Sequence, residues 1–584
     1  MVQKTQPFAT SYASPTNYQQ RKDVFLPPEM PGIIIFVHGV NSDGEWYSAA
    51  EEHILAGLNK RLGRDDLKPR TFDPYLAKPK LDSSDTSPIL HFFWGYRAKE
   101  GEEKKWKVPL RDKDRNSAWQ KDYKPTPPLH WGGGAFQNGC NNLPLLWSDE
   151  GFKRRIWAAF IPIDVQGMNP EVDRQLQDAP PRNYYAHAAG RLADLVRKVR
   201  GKYEADTITL IGHSQGTQIV LGALALLEAT NQPDAVMLMN GPYALESKAT
   251  DNLAQGNRAP TEKARKKTFE NIVQRFQSGH RALTDDLLAK LRVGVTSEGK
   301  LWTPKAPGER DNTGRLYIYF NPHDRVMGST ALQSIGWQGV PDSLLDQFKG
   351  TLYQRMLART TPCGTEPGKA YLWPRDLDGS LKPFWNKMKK TKGLIRTDLW
   401  TTPDQDRQVT INAEAVPEPI EAKELVGFDE PSEGQPEWKN TDDYPFFRDI
   451  YDREEWKEVA PATSRQPARR RLETQEELEQ RIGSYVPEPT DHSTLPKHEA
   501  FLSRVVAYDL PVGFCQSHQD KPFWQELNRL ADWRSGDTYF KTGELSIPPM
   551  PDLIDTETFE DLQKQRDQTA ALWLQPGNND TVRV

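Results

Sequence analysis

Cysteine is scarce in this chain: three thiols, Cys140, Cys363 and Cys515, stand far apart among 584 residues. An odd number at such spacing excludes a disulfide framework and any CxxC zinc site, and it points to synthesis in a reducing cytoplasm. An excess of one charge is lacking too, with 76 Lys and Arg against 81 Asp and Glu. No long-range basic field is therefore available to draw in nucleic acid or an anionic surface. No window reaches the roughly 18 apolar residues of a membrane span, and residues 1–30 lack the apolar stretch of a signal peptide. The expectation is a protein that leaves its cell only if another machine carries it. Metal-ligand spacing is absent as well, so neither a metal nor another cofactor is expected.

What is present is unevenly distributed. The hydrophobic fraction of 36% is lean, yet 17 Trp, 19 Tyr and 22 Phe argue against a disordered chain. The length suggests about two to four lobes. Ile33–Val37 is an unbroken run of β-branched and aromatic residues behind Pro31-Gly32, which predicts a buried parallel strand. Trp46, Ala50, Ile54, Leu58 and Leu62 then recur on one helical face, closed by Gly63. Further strands are predicted at 89–94, 207–211, 235–239 and 316–320, and helices at 184–200, stopped by Gly201, and at 217–230. Strands alternating with helices, without hairpin signals, predict an α/β fold with a mostly parallel sheet covered on both faces.

The apolar segments divide the chain. Residues 1–30 read as an extension, 31–96 as the first part of the core, and 97–180 as an insertion or lid. Core returns over 181–339; a polar insertion fills 340–490, core resumes at 491–518, and 519–584 is a polar helical tail.

The sharpest motif is Gly212-His213-Ser214-Gln215-Gly216, set between a predicted strand and a predicted helix. It matches the nucleophile elbow of the α/β-hydrolases, in which a strained turn exposes Ser Oγ and two glycines remove clashing Cβ atoms. A serine hydroxyl needs a base, and the base needs an orienting acid, which in this fold follow in the order Ser, acid, His. Asp324 ends the segment Leu316–Asp324 just beyond a strand and is the best acid, although the same position suits an Asx turn or helix cap. Asp311 and Asp342 are poorer alternatives. Beyond Asp324 and its neighbour His323 come only His492, His498 and His518. His492, in a loop before a helix at 497–508, is the preferred base; His498 lies on that helix and His518 in a polar stretch. His38 and His213 precede the acid and read as packing residues. Backbone N–H groups of Gln215 and of Val40, in the loop His38-Gly39-Val40-Asn41, are the expected oxyanion donors.

Trp131-Gly132-Gly133-Gly134 lacks the Lys-Ser/Thr of a phosphate loop and is expected to be a hinge or gate; with Trp119, Phe136 and Trp147 it could cover an acyl pocket. The basic run Arg465–Arg471 sits among acidic residues and reads as a solvated loop.

Taken together, FVHGVNSDGEWY, LIGHSQGTQIVLGAL, LYIYFNPHDRVMG with LQSIGWQGVP close behind, and DHSTLPKHEAFLSRVVAYDLPVG resemble the Tle3 family of type VI secretion lipase effectors, over about residues 30–515. The resemblance implies an antibacterial phospholipase, made in the producer's cytoplasm and delivered to a competitor's periplasm, where it hydrolyses membrane glycerophospholipids. It further implies docking on a VgrG spike through an adaptor, a cognate immunity protein, and a triad that falls on Ser214, Asp324 and His492. Two other readings stay open from sequence: an esterase or thioesterase acting on a different substrate, and a non-catalytic adaptor built on a hydrolase scaffold.

Overall fold

The computed structural model describes residues 8–12, 22–26 and most of 28–573. It leaves out 80–85, 113–125, 166–175, 252–257, 373–406, 427–455, 481–489 and a number of shorter stretches. Trp119 and much of the two predicted insertions thus lie outside the described residues.

Six strands form the central sheet: β1 Ile33–Val37, β2 Ile89–Phe92, β3 Ile208–His213, β4 Ala235–Met239, β5 Arg315–Phe320 and β6 Leu352–Met356. Their order is β6-β5-β4-β3-β1-β2, and every pairing is parallel. Parallel strands need crossovers, and here helices α1 (Tyr47–Arg61), α2 (Tyr184–Lys202), α3 (Gln215–Leu226) and α4 (Glu262–Ser278) supply them. Because both faces are covered, β1, β2, β3 and β4 are buried along their whole length. That is why they read in the sequence as continuous apolar runs and not as alternating ones. The chain lays β2 on one side of β1 and β3 on the other. Strand order therefore reverses between β1 and β3, and their carboxyl ends flank the crevice where open α/β sheets hold ligands.

Several boundaries differ from those read in the sequence. Helix α2 runs through Gly201 to Lys202; Gly201 has open space where a Cβ would sit, so nothing local forces a stop. The sheet also continues beyond 339, since β6 pairs with β5 from Leu316↔Leu352 to Phe320↔Met356. Strand β6 hides from a hydropathy reading because Gln354 and Arg355 are buried through specific bonds. Gln354 Oε1 accepts from Val340 N–H at 2.8 Å, and Arg355 holds Asp509 through Nε at 2.7 Å and Nη2 at 2.8 Å.

The segment after 519, read in the sequence as a polar helical tail, packs on the core through part of its length. Asp520 caps helix α5 (Lys521–Ala531), which buries Phe523, Trp524, Leu527 and Ala531. The carbonyl of Ala531 accepts the Phe93 N–H at 2.9 Å, closing the end of the edge strand β2. Farther on, the backbone at Pro548 accepts from Trp147 Nε1 at 2.8 Å. The helical turn Phe501–Val506 packs so closely on α1 that a Cβ on Gly57 would lie 2.2 Å from Ser503 O. No described helix is long and apolar enough to cross a membrane.

Trp524→Ala should lower stability by about 3–5 kcal/mol, the cost of emptying a large aromatic site in a core. The check is the urea midpoint by tryptophan-independent circular dichroism; an unchanged midpoint would show that α5 is not part of the core.

Candidate active site

Ser214 follows β3 directly and precedes α3, with φ 56° and ψ −131°. A non-glycine residue in that region is strained by roughly 1–3 kcal/mol and persists only where its surroundings hold it. The holding contacts are identifiable. Ser214 N–H donates to Met239 O of β4 at 2.9 Å. A Cβ on Gly216 would lie 2.2 Å from Val37 O, so β1 passes where only glycine fits. Gly39 is equally constrained from the other side, since its Cβ would lie 2.8 Å from Ser214 Cβ. The loop after β1 thus runs against the serine side chain, which is only 6% exposed.

Asp324, fully buried, divides its two oxygens. Oδ1 accepts from Val326 and Met327 N–H, both at 2.9 Å, forming the turn foreseen as the alternative role. Oδ2 accepts from Asn240 Nδ2 at 2.7 Å and faces His492 Nδ1 at 2.7 Å. The other ring nitrogen, Nε2, lies 2.8 Å from Ser214 Oγ. With Nδ1–H donating to the carboxylate, Nε2 is left to accept the serine proton. The three residues expected to act together are therefore brought into one hydrogen-bonded line.

The remaining candidates lie elsewhere. His498 accepts the Phe501 N–H through Nδ1 at 3.2 Å, at the start of the helical turn. His518 packs its ring on Trp524 with centroids 4.9 Å apart. Asp311 binds Thr313 in a local turn, and Asp342 pairs with Lys369 at the surface. The cysteines are all free and buried; burial pushes the Cys140 and Cys363 thiols up to about 12, which leaves them protonated.

The N–H groups of Gln215 and Val40 have no protein acceptor among the described residues. Gln215 opens α3, so the positive end of that helix is added at the same point. The Gln215 side chain accepts the Cys140 N–H through Oε1 at 2.9 Å, pinning the insertion to the elbow.

The glycine run is not a loose gate. Asn41 N–H donates to Gly134 O at 3.0 Å, Ser42 N–H to Gly132 O at 3.2 Å, and Trp131 Nε1–H to Asn41 Oδ1 at 3.0 Å. Gly133, at φ 64°, lies so close that a Cβ would sit 2.2 Å from Gly39 O. The run is a brace clamped over the loop that carries Val40, and glycine is needed for the closeness of that approach.

His38 and His213 do more than fill space. His38 Nδ1–H donates to Gly39 O at 2.9 Å while Nε2 accepts from Trp94 N–H at 3.3 Å. Burial lowers its pKa to about 4, so the ring stays neutral. His213, also held neutral chiefly by burial with a lowered pKa, donates Nε2–H to His492 O at 2.9 Å and steadies the His492 backbone from behind. Sequence reading missed Asn240, Arg359 and Asp491. Asn240 (φ 50°) and Asp491 (φ 53°) occupy left-handed turns beside the triad; the Asn-Gly after β4 was the one visible signal. Arg359 Nη2–H donates to Asp491 Oδ2 at 2.7 Å with both side chains fully buried. Among the described residues no cluster of His, Cys, Asp and Glu is placed to hold a metal ion.

The parallel sheet and the strained serine turn at its carboxyl edge define an α/β-hydrolase core. Comparison with known families extends this: the model for the T6SS Tle3 phospholipase effector domain matches residues 30–341, and that for the C-terminal domain of the antibacterial effector protein Tle3 matches 429–569. The chain belongs to the Tle3 family of type VI secretion phospholipase effectors. It is similar to the antibacterial effector protein Tle3 of Pseudomonas aeruginosa PAO1, with 28% identity over 655 aligned residues that cover 91% of this chain and 88% of that protein. Ser214 and Asp324 fall in the first matched region and His492 in the second.

Two outcomes are expected. Gly39→Ala should displace the Ser214 side chain and cut turnover of a soluble ester at least about tenfold per folded molecule; full turnover would mean the loop can yield. A histidine whose folded pKa lies below its unfolded value of about 6.5 binds its proton more readily when unfolded, so its contribution is complete above that pH and is lost as the pH falls. For His38 the loss is about 2 kcal/mol by about pH 5. Urea midpoints should drop between about pH 7 and about pH 5, and less steeply in His38→Gln; parallel slopes would contradict it.

Proposed function

We propose that this protein is a serine phospholipase that cleaves acyl esters of membrane glycerophospholipids through an acyl-enzyme. The observation that carries the reading is the unbroken line from Ser214 Oγ through His492 to Asp324, with contacts of 2.8 and 2.7 Å. His492 Nε2 takes the Ser214 proton as Oγ attacks the ester carbonyl. Negative charge then grows on the carbonyl oxygen, where the N–H groups of Gln215 and Val40 and the α3 terminus stabilise it. Asp324 stabilises the imidazolium without accepting its proton. The proton next passes from Nε2 to the departing lysophospholipid oxygen, and the acyl group remains on Ser214. Water, deprotonated by the same imidazole, attacks the acyl ester and releases a fatty acid.

The biological setting follows the family. A phospholipase effector that injures competitors needs a route out, and the route proposed is the type VI machine, with docking on a VgrG spike through an adaptor and action on lipid in the target cell's periplasm. A producer that makes a membrane-degrading enzyme also needs a cognate immunity protein. Free, protonated thiols and near-balanced charge are compatible with this passage.

The test is mass spectrometry of mixed bacterial phospholipids after incubation with the wild-type chain or Ser214→Ala. Wild type should release fatty acid and lysophospholipid, and Ser214→Ala should lower the rate by about 10⁴-fold or more, as should Asp324→Asn and His492→Ala. His498→Ala should stay within about twofold. Lipid release surviving in purified Ser214→Ala would overturn the proposal.

A further inference from the structure

Arg359 lies just beyond β6 and touches both loops that the proposed reaction needs. Its backbone N–H donates to His323 Nε2 at 3.1 Å, and His323 adjoins Asp324. Its guanidinium Nη2 donates to Asp491 Oδ2 at 2.7 Å, and Asp491 adjoins His492. Both side chains of that ion pair are fully buried. Around it the base loop is tied down again. Asn321 Nδ2 donates to Asp491 O at 3.1 Å, and Arg325 N–H donates to Thr490 O at 2.9 Å. Asp491 itself is held at φ 53°, a left-handed conformation that a free loop would seldom keep.

A buried ion pair is a poor way to add stability, because desolvating two charges offsets most of their attraction. What it supplies is direction: a fixed bond between two charged groups defines where each backbone must lie. Acid and base here come from positions 168 residues apart, and one arginine fastens both. We infer that Arg359 and Asp491 are positioning residues, a clamp that registers His492 between Ser214 and Asp324. The inference rests on the triad reading above. A displacement of about 1 Å at a reacting group lowers turnover by about 100-fold while leaving substrate binding little changed.

The experiment measures kcat and KM on a soluble short-chain p-nitrophenyl ester for Arg359→Met, Asp491→Asn and the double variant. Each rate is taken per folded molecule, with the folded fraction read by circular dichroism well below the melting transition. The expected result is a fall in kcat of about 10- to 100-fold in each, with KM within about twofold, and a double variant no worse than the poorer single. If the single variants do not fold, the double variant, which removes both charges of the Arg359–Asp491 pair together, carries the test. Wild-type kcat per folded molecule in any of them, or a kcat loss in the double variant equal to the product of the two singles, would overturn the inference. Ser214→Ala is measured alongside: activity there would sink the triad reading itself, whereas an inactive Ser214→Ala beside fully active clamp variants would sink the clamp alone.

Discussion

The 2.8 Å contact between His492 Nε2 and Ser214 Oγ joins residues 278 positions apart, and most of the architecture can be understood as what it takes to hold that contact. The serine is fixed by strain: β3, β4 and the loop after β1 leave Ser214 one conformation, and glycines at 39 and 216 make the closeness possible. The histidine has one local bond, from its N–H to Thr490 Oγ1 at 3.3 Å. It stands 168 residues after Asp324 in the chain and is held mainly by long-range bonds. His213 supports its carbonyl, Asp324 its Nδ1, and the Arg359–Asp491 pair its neighbour. Behind it, buried Asp509 binds Tyr319 of β5 and Arg355 of β6, which cinches the returning segment to the sheet.

Polar groups in this interior are used as fasteners. Asp324, Asp491 and Asp509 are all fully buried, and each is met by directed donors or a paired guanidinium. Unpaired, any of them would be expensive to bury. The neutral histidines follow the same logic, since His38 and His213 are kept uncharged by burial and each donates its one N–H to a carbonyl. The glycine run at 132–134 belongs here too: it braces the Val40 loop through backbone bonds, so any gate over the site must be sought elsewhere.

The sequence disclosed the fold where burial is simple. Strands covered on both faces appear as apolar runs, and β1, β3, β4 and β5 were found to within a residue or two. The turn at Ser214 was legible from its fixed glycine chemistry, and chain order left few residues to name with it; Asp324 and His492, so named, lie in one hydrogen-bonded line with it. Other elements were not legible for a common reason: their burial depends on partners far away. Strand β6 carries Gln354 and Arg355, whose polar ends are bonded to Val340 and Asp509. Helix α5 looks like a polar tail until the edge of β2 is placed beside it. Arg359 and Asp491 carry no motif at all; only a fold that returns 491 to the carboxyl edge of the sheet makes them neighbours. The two family regions reflect the same composite build, with Ser214 and Asp324 in one and His492 in the other.

The most direct test of the central claim is the rate at which a fluorophosphonate probe labels the folded protein, with the modified peptide identified by mass spectrometry. A hydroxyl activated by His492 should be labelled at Ser214 and nowhere else, and His492→Ala should slow that labelling by at least about 100-fold. Labelling at another residue, or a rate unchanged by His492→Ala, would contradict the account.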